Sequence, residues 1–291
     1  MNSPAKQSND ANRLPARSLE ILEQCRWVEN DLPSWVPDWR KKNHYRLFSG
    51  SHSTYHASGM LTPFFRFRND DRILDVHGLM IDSIDGLGRA YFEQHTSPRP
   101  EHAIFQPENS TNGYGSEESL RDALWRTLTG DRTTQGHAAP DSYECLLDLP
   151  LKEHYPYPLP SRGARAFGRF VTQSASLSVA GKRLDSYFTS AAEHFPQSAI
   201  DAVERLWRFS RTQRLVFTRN GRLGMAPNEA QKSDIVCILL GCDVPVLVRL
   251  GENENDPVRI VGSCYIHGIM AGEATGWINE GEVEVRTISI C

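Results

Sequence analysis

The sequence predicts an α+β fold: a small closed β-barrel with a helical insertion and an extended N-terminal strap. Three observations predict it. From Arg214 to Ala274 short apolar runs alternate with turn chemistry at Asn220-Gly221, Pro227-Asn228, Ser233-Asp234, Gly241 and Asp256-Pro257, the pattern of a tightly closed β structure. Two further strand-like runs, Leu61–Arg68 and Arg72–Ile84, lie far upstream. Between the two sets, residues 116–210 place apolar side chains at helical spacing. The domain division that follows is a tail, short helix and Trp/Pro strap over 1–40, then a barrel domain over 41–291. Its strands fall at about 61–84 and 214–290, and its helical insertion at about 116–210.

In chain order, residues 1–17 are polar and lack the apolar content that pays for ordering. Ser18–Val28 carries Leu19, Leu22 and Cys25 at helical spacing. Leu32–Trp39 is not helical, because Pro33 and Pro37 fix their own φ and push their predecessors toward extended geometry. Trp35 and Trp39 then become apolar anchors of a strap across a domain surface. In Arg72–Ile84, Leu74 and Val76 share one phase of the alternation and Leu79 and Ile81 the other. A bulge at Gly78 would restore one buried face.

Residues 93–115 read as a loop, and Glu117–Leu128 as a helix capped by Ser116 with a Leu120/Leu124/Leu128 stripe. Gly130–Pro160 reads as irregular. Arg183–Phe195, with Leu184, Tyr187, Phe188, Ala191 and Phe195 on one face, reads as a helix stopped by Pro196. Ser198, with Asp201 three residues on, opens a partner helix in capping-box form. Asn220-Gly221 is a hairpin tip. Ser233-Asp234 caps the turn into the apolar strand Ile235–Leu240, and Gly241 ends it. Residues 282–289 read as a last edge strand, with Glu280, Glu282 and Glu284 as an acidic stripe that discourages unwanted pairing.

With a formal net charge of −4 and a pI near 6.2, nothing points to nucleic acid. No apolar run reaches bilayer length, and the N-terminus has no secretory h-region. The chain is therefore expected in the cytoplasm, with the six cysteines (Cys25, Cys145, Cys237, Cys242, Cys264, Cys291) as thiols. Asn109-Ser110-Thr111 is then a polar loop rather than a glycosylated one.

Candidate chemistry is sparse. No phosphate-binding glycine pattern occurs, and no cofactor is expected. Zinc needs four well-placed ligands; Cys237/Cys242 and His52/His56 each fall short of that, so no metal is expected. Cys264 and His267 are the one nucleophile–base pair the spacing tempts, as a hydrolase or transferase site. On a strand they point to opposite faces, which favours a buried thiol and a hydrogen-bonded histidine. His267, Gly268 and Glu273 form a polar cluster at the expected barrel rim, where a protein partner could be met. A barrel that binds a small ligand is a further alternative, ranked last because small barrels are filled by their own side chains.

Several segments carry a resemblance. RLVFTRNGRLGMAP (Arg214–Pro227), SDIVCILLGCDVPVLVRL (Ser233–Leu250) and IVGSCYIHGIMAGEA (Ile260–Ala274) resemble the C-terminal barrel region of fungal heterokaryon-incompatibility (HET) proteins. Upstream, LPSWVPDWR (Leu32–Arg40), YHASG (Tyr55–Gly59), ILDVHGLMIDSI (Ile73–Ile84) and LWRTLTGDR (Leu124–Arg132) follow in the family's order. The resemblance implies a part in non-self recognition that can end in death of fused cells. The family's presumed effector, a HET domain of TIR-like fold, lies N-terminal to the strap. Only 31 residues precede Leu32 here, without a WIDALCINQ-like segment. The implied role is thus a non-enzymatic accessory or recognition module with a protein partner. The chain departs from the family at Ser263 and Ala271, where glutamate and aspartate are usual, and at Leu223–Pro227, where the family has LGLGP-like text.

Overall fold

The computed structural model describes residues 19, 22, 24–25, 32–38, 55–90, 100–149, 162–192, 195–253 and 255–291. Trp39, His52 and the first seventeen residues of the expected tail lie outside them. The described residues form a mixed fold with a mostly antiparallel sheet. Its strands are β1 (Phe65–Arg68), β2 (Ile73–Leu87), β5 (Gln213–Thr218), β6 (Leu223–Pro227), β7 (Ile235–Leu239), β8 (Val246–Arg249), β9 (Arg259–Ser263), β10 (Tyr265–Ile266) and β11 (Arg286–Ile290). A separate two-stranded hairpin pairs β3 (Ser178–Val179) with β4 (Lys182–Arg183). The helices are α1 (Glu117–Thr129), α2 (Arg162–Ser174), α3 (Ile200–Ser210) and α4 (Ala274–Asn279).

The hydrogen-bonded path runs β10-β6-β5-β2-β7-β8-β9, with β1 and β11 also paired to β2. The long strand β2 therefore organises the sheet. It meets β1 through Ile73–Val76, β11 through Leu74–Gly78, β7 through Gly78–Ser83 and β5 through Ile84–Leu87. The upstream and downstream strand sets do pair with each other, as the sequence implied. The two ends of the path, β9 and β10, are separated in sequence by Cys264 alone.

Three apolar clusters explain the alternation. An interior cluster draws Leu79, Ile84 and Leu87 from β2, Val216 from β5, Ala226 from β6, Val236 and Ile238 from β7, Leu247 from β8, Val261 from β9 and Ile266 from β10, together with Cys264. On the opposite face of β7–β9, Cys237, Leu239, Val246, Val248 and Ile260 join Leu74, Val76, Ile288 and Ile290 under Leu19, Leu22 and Cys25. On the opposite face of β5 and β6, Leu215, Phe217, Leu223 and Met225 pack against α1, α2 and α3. These strands are buried on both sides, so their sequence runs apolar instead of alternating.

That double burial corrects the expected bulge at Gly78. Gly78 pairs in register with both Leu239 and Arg286. The register shifts lie at Met80/Asp82 and Ile84/Gly86. Leu74 and Val76 feed one core and Leu79 the other, so no change of phase is needed. Gly78 is required for closeness: a Cβ there would stand 2.8 Å from Ile288 Cδ1 and 3.0 Å from Leu239 Cδ2.

α1 forms as read, with the Ser116 side chain accepting from Ser119 N at 3.0 Å. The other helix expectations need correction. Among the described residues of 183–195, Arg183 ends β4 and the one helical turn is a short 3-10 turn, Leu184–Tyr187. Leu184, Tyr187, Phe188 and Phe195 still pack in the helical core, whereas Ala191 is exposed. The helix does not open at Ser198: a 3-10 turn over Gln197–Ala199 runs into α3, whose N-cap position is Ala199. Asp201 instead accepts from Thr134 N at 3.2 Å and from the hydroxyls of Thr134 and Tyr143. The helix that packs on α3 is α2, over a stretch where the sequence suggested none; Gly163 and Gly168 weaken its propensity. Gly163 lets α2 touch α3 backbone, since a Cβ would stand 2.8 Å from Val203 O.

The expected last edge strand is also displaced. Glu280 caps α4, Gly281 takes φ +76° and Glu282 N bonds to Trp277 O at 2.9 Å, so Glu280, Glu282 and Glu284 form no strand stripe. The strand proper, β11, pairs with β2 and touches Val258 through a parallel bridge at Ile290.

Candidate functional site

The polar chain segment after β10 sits at a seam between sheet and helices. His267 N donates to Leu223 O at 2.9 Å, continuing the β10–β6 ladder by one residue. Ile266 points into the interior core and Tyr265 into the helical core. By strand alternation His267 follows Tyr265, and its ring meets Tyr114 edge-on at 5.4 Å between centroids. Its Nδ1 is buried and has no hydrogen-bond partner among the described residues. Burial pulls the imidazole below its usual pKa, against the fields of Asp131, Asp122 and Glu273.

Glu273 accepts from Ala271 N at 2.7 Å and so shapes the loop rather than reaching outward. Gly268 is exposed, has φ +85° and would meet nothing within 4 Å if it carried a Cβ. His267, Gly268 and Glu273 thus lie on one surface loop.

Behind that loop is a polar cluster that sequence reading missed. Arg126 on α1 holds Asp122 at 2.8 Å, Asp131 at 3.0 Å and Asp141 at 3.0 Å. The Tyr55 hydroxyl donates to Gly130 O, and the Arg132 guanidinium lies 4.4 Å over the Tyr55 ring. Tyr265 stands edge-on to Tyr55 at 6.1 Å. Arg205 Nε donates to Thr129 O at 3.0 Å. Gly130, in left-handed geometry at φ +62°, ends α1 and turns Asp131 and Arg132 into this cluster. A glycine-terminated helix followed by Asp-Arg is the one signal that could have located it. Burial pushes the phenols of Tyr55, Tyr114 and Tyr265 upward, Tyr114 to about 12. Near pH 7 the three tyrosines are protonated and His267 is neutral. The seam therefore offers fixed dipoles and ion pairs, which suit polar recognition.

Cys264 lies elsewhere. It is fully buried in the interior core, its Sγ donates to Pro245 O at 3.6 Å, and burial raises its thiol pKa. Strand alternation has sent it into the interior core and His267 to the seam beside Tyr114. Of the other sequence-selected residues, Trp35 packs on Phe67 at 5.3 Å. His56 Nδ1 stands 3.5 Å from Asp243 Oδ1, with its side chain half exposed. Gly241 takes φ +95° in the turn after β7. Asn220 and Gly221 form the β5–β6 tip: Gly221, at φ +82°, donates to Thr218 O at 3.0 Å. Only Gly221 uses positive φ, as in a three-residue hairpin loop. Gly113 crosses this tip, its N donating to Gly221 O at 3.2 Å. Asp234 accepts from Gln231 N at 2.8 Å, as a turn residue should, and also takes both arms of Arg249 at 2.8 and 2.9 Å.

Residues 196–282 match the family model described as the Het-6 beta-barrel domain. The matched segment takes in α3, β5–β10 and α4, and the match supports the resemblance of this segment to a HET-family C-terminal barrel region. No curated protein and no solved structure gives a significant match. Among the described residues no helix is long and apolar enough to cross a membrane.

Proposed function

We infer that this chain is a non-enzymatic recognition module of the heterokaryon-incompatibility type, working in the cytoplasm on a protein partner. In this reading the sheet is a small closed barrel, and its closure occurs at Cys264, where the two ends of the strand path adjoin. The observation that carries the reading is the interior core, filled by side chains from every strand between β2 and β10 except the small separate hairpin. A packed interior serves as scaffold, and recognition is left to surface loops. The loop from His267 to Glu273, backed by the Arg126–Asp131 cluster, is the surface proposed for the partner. The implied outcome is participation in non-self recognition and cell death.

A photo-crosslinking residue at Ala271, which is exposed, tests this in fungal cells that express the chain. A discrete protein adduct, absent when the same residue replaces exposed Leu250, is expected. Equal labelling from both positions would sink the partner surface. Loss of the cellular effect in Cys264→Ser, with loop variants unaffected, would favour an enzyme instead.

A further inference from the structure

Two stretches at the rim of the sheet carry complementary side chains. The first is the outer side of β1. Leu74 pairs with both Phe67 and Ile290, and Val76 with both Phe65 and Ile288, so β1 and β11 flank β2 on opposite sides. His77 N donates to Phe64 O at 3.2 Å. By alternation Arg66 and Arg68 turn their backbone groups to β2, and Phe65 and Phe67 turn theirs away from it. Among the described residues β1 pairs with β2 alone, which leaves that outer side as an open strand edge.

The two faces of β1 differ. Phe65 and Phe67 share one face, edge-on at 5.7 Å, with the Trp35 ring 5.3 Å from Phe67. Phe67 is 44% exposed. On the other face Arg66 and Arg68 share one carboxylate. Asp75 accepts from Arg66 Nη2 at 2.9 Å and from Arg68 Nε and Nη2 at 2.6 and 2.7 Å. Asp75 is buried, while the Arg66 side chain is 62% exposed. Two guanidinium groups on one carboxylate leave a net positive charge along this edge. Asp70 and Asp71 lie past the strand end, in the turn to β2.

The second stretch leads into β11. Near the C-terminus the outer side of β11 is closed: Val258 N donates to Ser289 O at 2.8 Å and Cys291 N to Val258 O at 3.0 Å. Ser34 then bridges β11 and β9 as they diverge. Its N donates to Cys291 O at 2.8 Å, its hydroxyl also donates to Cys291 O, and Ile260 N donates to Ser34 Oγ at 2.9 Å. Upstream, Glu282 N and Val283 N return to Trp277 O on α4. Glu284 and Val285 make no hydrogen bond to the described residues. Glu282 and Glu284 are exposed, and Val285 is 41% exposed.

We propose that a second copy of this chain adds its Glu282–Val285 segment to the outer edge of β1. Arg66 and Arg68 are two residues apart, as are Glu282 and Glu284, so in extended chain each pair shares one face at matching spacing. Val285 falls on the side of Phe67 and Trp35. Backbone bonds to Phe65 and Phe67 hold such an added strand, and its side chains select it. Pairing of β1 with its own copy is disfavoured, because arginines would then stand across from arginines. Within one chain β2 lies between the two stretches, so they meet only between copies. The contact is head-to-tail and gives growing chains or a closed ring. It uses neither His267 nor the loop that follows it.

Sedimentation velocity of the full chain over a concentration series, at low and at high salt, tests this. The unaltered chain should associate as concentration rises, and less at high salt. Glu282→Arg with Glu284→Arg should weaken association at least about tenfold, since like charges then meet at Arg66 and Arg68. Phe67→Lys should weaken it from the other side. Mixed together, the two variants should form dimers, because one keeps the β1 edge and the other keeps the acidic segment. A chain that is monomeric at every concentration would overturn the proposal, even if its β1 edge bound a synthetic Glu-Val-Glu-Val peptide. Undiminished association of the doubly reversed variant, or a mixture that forms no dimer, would overturn it as well. Should Phe67→Lys fail to fold, the doubly reversed variant mixed with unaltered chain decides: it must still join through its own β1.

Discussion

Arg214 shows how much one residue carries. Its side chain is fully buried, and its guanidinium donates twice to Gly88 O, at 2.8 and 2.6 Å, and once to Ala103 O at 2.5 Å. Burial pushes its pKa down to about 10, which leaves it charged at neutral pH. Arg214→Met would keep the apolar volume and strand those carbonyls; a loss of about 2–4 kcal/mol is expected in urea unfolding, at about 1–3 kcal/mol per orphaned group. His267 sets a pH signature. Its folded pKa lies below the ordinary 6.5 because burial disfavours the cation. The unfolded chain therefore binds more protons below pH 6.5, and the stability present above that pH is lost as pH falls toward the folded value. In unfolding curves at successive pH values, His267→Gln should flatten this fall. Asp75 gives a second, more acidic window. The Arg68 guanidinium, then Arg66 and Ser289, hold its buried carboxyl far below the ordinary 3.8, so its contribution is present above 3.8 and drains away as pH falls below it. Asp75→Asn should remove that drain. None of these three environments is written in local sequence, since Arg214 and Asp75 read as ordinary strand positions until their distant partners are in place.

At the scale of elements, sequence succeeded where one turn of chain decides the outcome. Ser116, the two glutamates after it and the leucine stripe define α1 without help from elsewhere. Asn220-Gly221 and Ser233-Asp234 likewise act within a few residues. It failed where packing overrides propensity. Leu184, Tyr187, Phe188 and Phe195 are spaced for a helix, yet their burial is achieved by irregular chain around a short 3-10 turn. α2 is the converse: its glycines argue against a helix, and at Gly163 tertiary contact demands one. Gly163→Ala tests that point. In a free helix the change would stabilise by about 1 kcal/mol; here the new Cβ meets α3 backbone at 2.8–2.9 Å. Thermal unfolding should show a lowered midpoint, and a raised one would mean that α2 and α3 have room to separate.

The whole molecule depends on strands brought together from opposite ends of the chain. The segment that matches the Het-6 beta-barrel domain, residues 196–282, contains neither β2 nor β11. Yet β2 pairs with both β5 and β7, and its Leu79, Ile84 and Leu87 fill the interior core. Residues 196–282 expressed alone should give the narrow amide spectrum of an unfolded chain, because two strands would lose a neighbour and the core its longest wall. Well-dispersed amide signals from that fragment would refute this dependence. Sequence by itself determined the class of the fold, the turns, the cap of α1, the apolar strands and the family likeness, because each is carried by short-range pattern. Tertiary structure alone decided that β2 is buried on both faces, that Ser34 bridges two diverging strands, and that Cys264 lies in the interior core while His267 lies at the seam beside Tyr114. Those outcomes rest on contacts between residues as much as 257 positions apart, and no local periodicity encodes a partner at that distance.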